Sequence, residues 1–181
     1  VKVLPNAQQF NPADLRYKAF YRALAERKLP VLSHVGYEFS LIGKDQSVGD
    51  PERLKGALEE GATVIAAHAC SYGLILYEKF LPTLRDLVKR YPHFHADISA
   101  LTLPNRMRML LLLRHYPEIH KRLLFGTDYP LSVFHIAAWG RVALGTLHNM
   151  IRTKNRFDRQ VEVCRGLKLG FRSLSDVIAP P

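Results

Sequence analysis

The stretch Arg122-Leu123-Leu124-Phe125-Gly126-Thr127-Asp128-Tyr129-Pro130 decides the fold. Residues 123–126 read as a short buried strand, and Asp128 arrives where that strand gives way to a loop. Pro130 fixes the backbone just beyond and keeps the strand from continuing. A carboxylate at the end of an apolar strand is costly to bury unless something pairs with it. Two earlier apolar runs also end in a polar group, Pro30-Val31-Leu32-Ser33-His34 and Thr63-Val64-Ile65-Ala66-Ala67-His68. Three strand ends thus present His34, His68 and Asp128.

Working outward, strand-like and helix-like segments alternate. Residues 1–4 and 94–98 complete a set of five strands. Asn11-Pro12-Ala13-Asp14 opens a helix, with Asn11 as cap, Pro12 in the first turn and Asp14 at the positive end of the dipole. Leu15, Ala19, Phe20, Ala23 and Leu24 give that helix its apolar face, and it should end near Lys28, because Leu29 precedes a proline. Asp50-Pro51-Glu52 starts a second helix that Gly61 stops. Further helices are expected over 77–90, with Pro82 as an interruption or a late start, and over 105–115, 133–150 and 156–167. A polar and aromatic loop fills 36–49.

Such alternation implies an α/β fold with a parallel sheet. The strands are continuous apolar runs, as expected when both sheet faces are covered. Ligands of parallel sheets gather beyond the carboxyl ends of the strands, where His34, His68 and Asp128 fall. No glycine-rich dinucleotide or phosphate loop follows any strand.

Composition sets the outer bounds. The 181 residues, 48% hydrophobic and 23% charged, suffice for one domain with a substantial core. No apolar run approaches the ~20 residues of a membrane helix, and no secretory leader is visible, so no membrane partner and a cytoplasmic location are expected. Cys70 and Cys164 are far apart and read as separate reduced thiols. The net charge of +10, from 26 Lys and Arg against 16 Asp and Glu, favours anionic partners. It is scattered, denser after Gly140, and not interleaved with stacking aromatics. Nucleic acid is therefore not the expected partner, and solvated surface charge is the preferred account.

Neutral imidazole and carboxylate are ordinary ligands for zinc and related ions. A catalytic site leaves one position open to water, and a nearby carboxylate such as Asp128 can take that water's proton. Taken singly, a histidine at a strand end is more often a hydrogen-bonding group, and an aspartate before a turn is more often a turn-former. Joint placement shifts the balance toward a site. His93, His115, His120 and His148 fall on helical or loop surface, whereas His95 and His135 have structural roles as the preferred reading.

The segments ending in His34 and His68, together with Gly126-Thr127-Asp128-Tyr129-Pro130, resemble the amidohydrolase superfamily. The nearest likeness is to its branch of amidohydrolase-related metal-dependent hydrolases and decarboxylases. Asn155-Arg156-Phe157-Asp158-Arg159 is similar to the closing helix of such proteins. The resemblance implies a (β/α)8 TIM barrel, here a partial barrel covering strands four to eight, with His34 on strand five, His68 on six and Asp128 on eight. It implies that His34 and Asp128 bind a divalent metal ion, zinc first. His68 would bind a second metal or polarise the water and the substrate carbonyl, and Asp128 would be the general base. Asp97 and Ser99, on the strand-seven equivalent, could line the pocket but are given little weight.

The sequence departs from the family pattern in one respect. The His-x-His pair of the first barrel strand has no counterpart, since His93-Phe94-His95 has the spacing on the wrong strand. The chain, 1–181, is therefore expected to be a single, N-terminally incomplete domain of a metal-dependent hydrolase. That enzyme would attack a C–N or C–O bond beside a carbonyl of a small-molecule substrate, and the basic balance points weakly to an acidic one. A decarboxylase on the same site is the nearest alternative. A non-catalytic relative that binds a partner or forms a homo-oligomer is the alternative from another class.

Overall fold

Leu24, near the end of the first long helix, explains how that helix stops. In the computed structural model, which describes residues 1–39, 41–43 and 45–178, its carbonyl accepts from Leu29 N–H at 2.9 Å. Lys28 sits in the left-handed region at φ 53° and its N–H reaches Ala25 O at 3.0 Å. This pair of bonds is the usual left-handed helix stop, and it delivers the chain directly into Pro30 and the next strand.

In chain order the elements are β1 (Lys2–Val3), α1 (Pro5–Gln8), α2 (Lys18–Glu26), β2 (Val31–Ser33), α3 (Lys55–Glu59), β3 (Val64–Ala66) and α4 (Leu81–Arg90). Then come β4 (Phe94–Asp97), α5 (Met107–Leu113), α6 (Pro117–His120), β5 (Leu123–Leu124), α7 (Leu144–Arg152) and α8 (Arg156–Gly166). The five strands form one sheet in sequential order, and every neighbouring pair is parallel. Beyond β5, Arg172 adds a parallel bridge to Leu124, with Phe125 N–H on Arg172 O and Arg172 N–H on Leu123 O, each 2.8 Å.

Every residue of β3 and β4 is buried, which accounts for the unbroken apolar character of β3, whereas β4 buries His95 and Asp97 among apolar neighbours. The core joins the sheet to its helices through Leu54, Leu58, Leu84, Leu87, Met109 and Leu113, and to α8 through Val163 and Cys164. Both cysteines are free and buried. No helix among the described residues is long and apolar enough to cross a membrane.

Several expected boundaries shift. Asp14, not Asn11, caps the first helical turn, accepting from Arg16 N–H at 2.9 Å, and a tight turn over Leu15–Tyr17 precedes α2. The buried face of α2 is Tyr21 and Leu24, with Leu15 largely exposed. Tyr21 can go inside because its hydroxyl donates to Pro12 O at 2.9 Å, leaving no unpaired polar atom. Asp50 caps the turn before α3 and Gly61, at φ +83°, ends it, both as read from sequence. Pro82 lies in the first turn of α4, so the helix begins late, at Leu81.

The helix expected over 133–150 is not formed as one. A single turn, Ile136–Ala138, is followed by Gly140 at φ +65°, and α7 begins only at Leu144 after an extended Ala143. Glycine in the left-handed conformation stops a helix, and its entropy cost in a helix interior works the same way. The 36–49 loop is largely built: Gln46 Oε1 accepts from Asn6 Nδ2 at 2.7 Å and from Glu38 N–H at 3.0 Å. Ser40 and Lys44 of that loop lie outside the described residues.

Candidate active site at the carboxyl ends of the strands

The register places Ser33 of β2 beside Ala66 of β3 and Ala66 beside Ala96 of β4. The residues just beyond therefore share one edge, and His34 and His68 meet there. His34 Nδ1 lies 3.2 Å from His68 Nε2, with the rings edge to face. Both side chains are buried, at 5% and 3% exposure.

The protons of this pair can be assigned by elimination. His68 Nδ1 is 3.0 Å from the carbonyl oxygen of Ser99, which can only accept, so Nδ1 carries the proton. His68 Nε2 then accepts, and His34 Nδ1 must be the donor to it. That leaves the lone pair on His34 Nε2, a buried atom with no hydrogen-bond partner. Both rings are held neutral. Burial, reinforced by the Arg106 charge, lowers the His34 pKa to about 4 against partial opposition from Glu38. Burial and Arg106 also drive His68 well below the usual imidazole range.

His68 occupies an unusual backbone. His68, Ala69 and Cys70 all have positive φ, at 58°, 46° and 57°, a left-handed turn that costs non-glycine residues free energy. Asp97, at the end of β4, holds it. Its Oδ1 accepts from His68 N–H at 2.9 Å, from Ser99 N–H at 3.0 Å and from the Ser99 hydroxyl at 2.5 Å. Burial raises the Asp97 pKa from its ordinary value, with these donors opposing and the Asp128 charge adding to it. Gly126 makes the fit possible, because a β-carbon there would come within 3.2 Å of the Asp97 side chain.

A second buried group ties the loops above the histidines. Arg106, 5% exposed, donates to Ser71 O and to Tyr37 O, both at 3.0 Å, and so links the loops that follow β2 and β3. Glu78 reinforces the second loop by accepting from the Ser71 hydroxyl at 2.8 Å and Tyr72 N–H at 2.7 Å. Gly36, at φ +88°, is required where the loops touch, since a β-carbon would fall 2.1 Å from Ser71 O. Glu38 Oε2 stands 3.6 Å from His34 Nδ1. Above this layer, Phe39 and residues 73–77 enclose an apolar groove of about 890 Å³.

Asp128 lies at the same edge and is half-buried. It too is left-handed, at φ 56°, and its carbonyl accepts from Leu131 N–H at 3.1 Å. Its charge contributes to the electrostatic balance at His34, Asp97 and Arg106. Of the residues singled out in the sequence, His34 and His68 are in direct contact, and Asp128 flanks them without a hydrogen bond to either. Tyr72 packs against Tyr37, Tyr77 and Phe80, whereas Tyr129 is exposed beside Phe157. His95 lies on β4 two residues before Asp97. It is buried with Nδ1 unpaired, and burial together with Arg122 and Arg172 lowers its pKa to about 4.

Asp97 and Ser99, which the sequence reading treats only as pocket lining, carry the network. The signal that found the histidines, a polar residue closing an apolar strand, is present in Phe94-His95-Ala96-Asp97-Ile98-Ser99 as well. Arg106 and Glu38 come from loops with no such pattern, and nothing in the sequence marks them.

The donor set suits a divalent ion in its chemistry. It contains two neutral imidazoles, one with a lone pair buried and unused, and a carboxylate at the same sheet edge. Among the described residues, no three His, Cys, Asp or Glu side chains converge into a complete ligand cluster.

A parallel sheet with helices between its strands and its polar groups gathered at the carboxyl edge defines a protein of the TIM-barrel class. The chain is similar to an uncharacterized TIM-barrel protein from Bordetella bronchiseptica, at 18% identity and a TM-score of 0.55. The match covers 92% of this chain and 55% of that one, so the chain spans about half the length of the barrel it resembles. The amidohydrolase family model matches residues 1–144, and the chain belongs to that family. The match includes His34, His68, Asp97 and Asp128 and ends before α8. No curated protein matches the chain.

Proposed function

We propose that residues 1–181 belong to one hydrolase domain, one that acts on a C–N or C–O bond beside a carbonyl in a small, acidic molecule. Family membership supports a metal-dependent reaction of this general kind. The observation that carries the finer reading is the buried, unpartnered Nε2 of His34, whose lone pair is fixed by the relay through His68 to Ser99.

His34 Nε2 and the Asp128 carboxylate would hold the ion, with zinc the first choice for imidazole and carboxylate donors. A bound divalent ion lowers the pKa of a water toward neutrality and polarises a carbonyl. Asp128, half-buried and free of side-chain hydrogen bonds among the described residues, is the base that takes the proton and returns it to the leaving group. His68 either orients the water and carbonyl or serves a second ion, in which case its Nε2 must first release His34. Asp97 and Ser99 keep His68 in one tautomer and one backbone conformation, and Arg106 supplies fixed positive charge that suits an acidic substrate.

Elemental analysis of the purified chain, beside His34→Ala and Asp128→Ala, tests this reading. About one equivalent of zinc or a similar ion in the wild type, lost in both variants, supports it. A chain that stays metal-free after incubation with zinc overturns the metal assignment. Retention by both variants would move the ion elsewhere.

A further inference from the structure

The sheet's opposite end carries a feature that the proposed hydrolase does not use. Between α4, α6 and the Arg172 bridge lies an open cleft of about 680 Å³. Arg85 and Lys89 of α4, Lys121 and Arg122 just before β5, and Arg172 line it with positive charge. Two carboxylates, Asp86 and Glu118, share the lining. We propose that this cleft is a binding site for a small oligophosphate, a chain of two or three phosphoryl groups either free or carried on a nucleoside.

The charges do not cancel within the cleft. Asp86 is engaged by Arg90, a residue outside it, at 3.2 Å. Glu118 is 3.6 Å from Arg85, and Arg172 is 3.6 Å from Asp176. Among the described residues, Lys89, Lys121 and Arg122 form no ion pair. A concave wall with an excess of one sign of charge concentrates counter-ions, and this volume falls within the usual range for small-ligand pockets.

Three of the five cations are also fixed in place, which reduces the entropy lost on binding. Arg85 lies over the Tyr116 ring, 4.5 Å from its centroid. The Arg122 guanidinium donates to Pro92 O. The Arg172 guanidinium donates to the carbonyl oxygen of Asp176 at 3.0 Å and stands 3.6 Å from its carboxylate. Guanidinium groups with free N–H edges match phosphate oxygens in geometry, and the two exposed lysines can follow a phosphate chain as point charges. Part of the +10 net charge thus acquires a location and a use.

The test is calorimetric titration of the full chain with tripolyphosphate in chelator-treated, metal-free buffer, with ATP as a second titrant. A single saturable site is expected, weakening as salt is raised. Lys89→Ala and Lys121→Ala should each weaken it about fivefold and together by more than tenfold, while Lys154→Ala between α7 and α8 leaves it unchanged. Lys89 and Lys121 are exposed, so circular dichroism should find the variants folded. Equal affinity for the two titrants assigns the site to the phosphate chain alone. Tighter ATP assigns it to a nucleoside polyphosphate. No saturable binding, or equal weakening by Lys154→Ala, would overturn the proposal, the latter by showing only the attraction of a cationic chain.

Discussion

His68 and Asp128 stand at the same edge of one sheet, both on left-handed backbone, and they are held in opposite ways. His68 is locked through its N–H, through Nδ1 and through Nε2, by groups on β4 and β2 that are themselves buried. Asp128 is half-buried, at the head of a loop, and its carboxylate is in no hydrogen bond among the described residues. A site whose one side is rigid and other side unconstrained can keep its histidines neutral and oriented while its carboxylate moves a proton. Preorganisation lowers the cost of catalysis where charge must be stabilised, and freedom serves a group that must change protonation and partner.

Removal of the rigid side's anchor should have the largest effect. Asp97→Ala leaves two buried N–H groups and a hydroxyl without their acceptor and releases a strained turn, so it is expected to cost about 3 kcal/mol in urea unfolding. Asp97→Asn, which retains an acceptor oxygen, should recover part of that. Asp128→Asn should stay within about 0.5 kcal/mol. Equal costs at the two positions would erase the contrast.

Acid should act on the same side. A histidine that titrates near 6.5 when unfolded and near 4 when folded binds its proton first in the unfolded chain. Stability is therefore lost as pH falls from about 6.5 to about 4 and loses no more from that group below. His95 alone should account for about 3 kcal/mol of the loss. Unfolding curves at pH 7 and pH 4.5 check this, with His95→Gln removing its share and leaving that of His34 and His68. A stability profile flat across this window would mean that the rings are not held neutral.

The roof over the histidines comes next. Arg106→Lys keeps the charge but cannot reach Ser71 O and Tyr37 O together, and about 2 kcal/mol of stability should go. Hydrogen exchange should speed up at Tyr37 N–H, which is bonded to Tyr72 O at 3.0 Å, and leave β3 and β4 unchanged. Faster exchange throughout the sheet would show that Arg106 supports the whole fold rather than these two loops.

How much of this was legible follows the physics of each part. Strand order and the site edge could be read because apolar runs closed by His34, His68 and Asp128 announce buried parallel strands. Glycine and proline signals at Asp50-Pro51, Gly61 and Pro82 placed helix ends for local reasons. What escaped was tertiary. The sequence reads His68 as the end of a strand, whereas His68, Ala69 and Cys70 form a left-handed turn that Asp97 holds from the next strand. The helix expected over 133–150 runs through Gly140, whose left-handed backbone divides it. The segment most distinctive in sequence, Gly126-Thr127-Asp128-Tyr129-Pro130, turned out to be the less constrained half of the site. Its specificity lies in local backbone demands, whereas the histidine side is made of common residues brought together by the sheet.

A small expected effect on the rigid side is also the most diagnostic. Ser99→Ala removes the hydroxyl that donates to Asp97 and lies 2.9 Å from His68 Nδ1, but leaves the Ser99 carbonyl and N–H in place. The loss should be about 1 kcal/mol, one hydrogen bond with no charge left bare. The His68 tautomer, read from nitrogen-15 shifts of its ring, should remain Nδ1–H because the carbonyl dictates it. His34 should then remain the donor to His68, with its Nε2 lone pair still exposed to any ion. A switch of His68 to Nε2–H in this variant would show that the hydroxyl sets the relay. The proton order along the pair would reverse, and the lone pair offered to a metal would have to be sought on a different nitrogen.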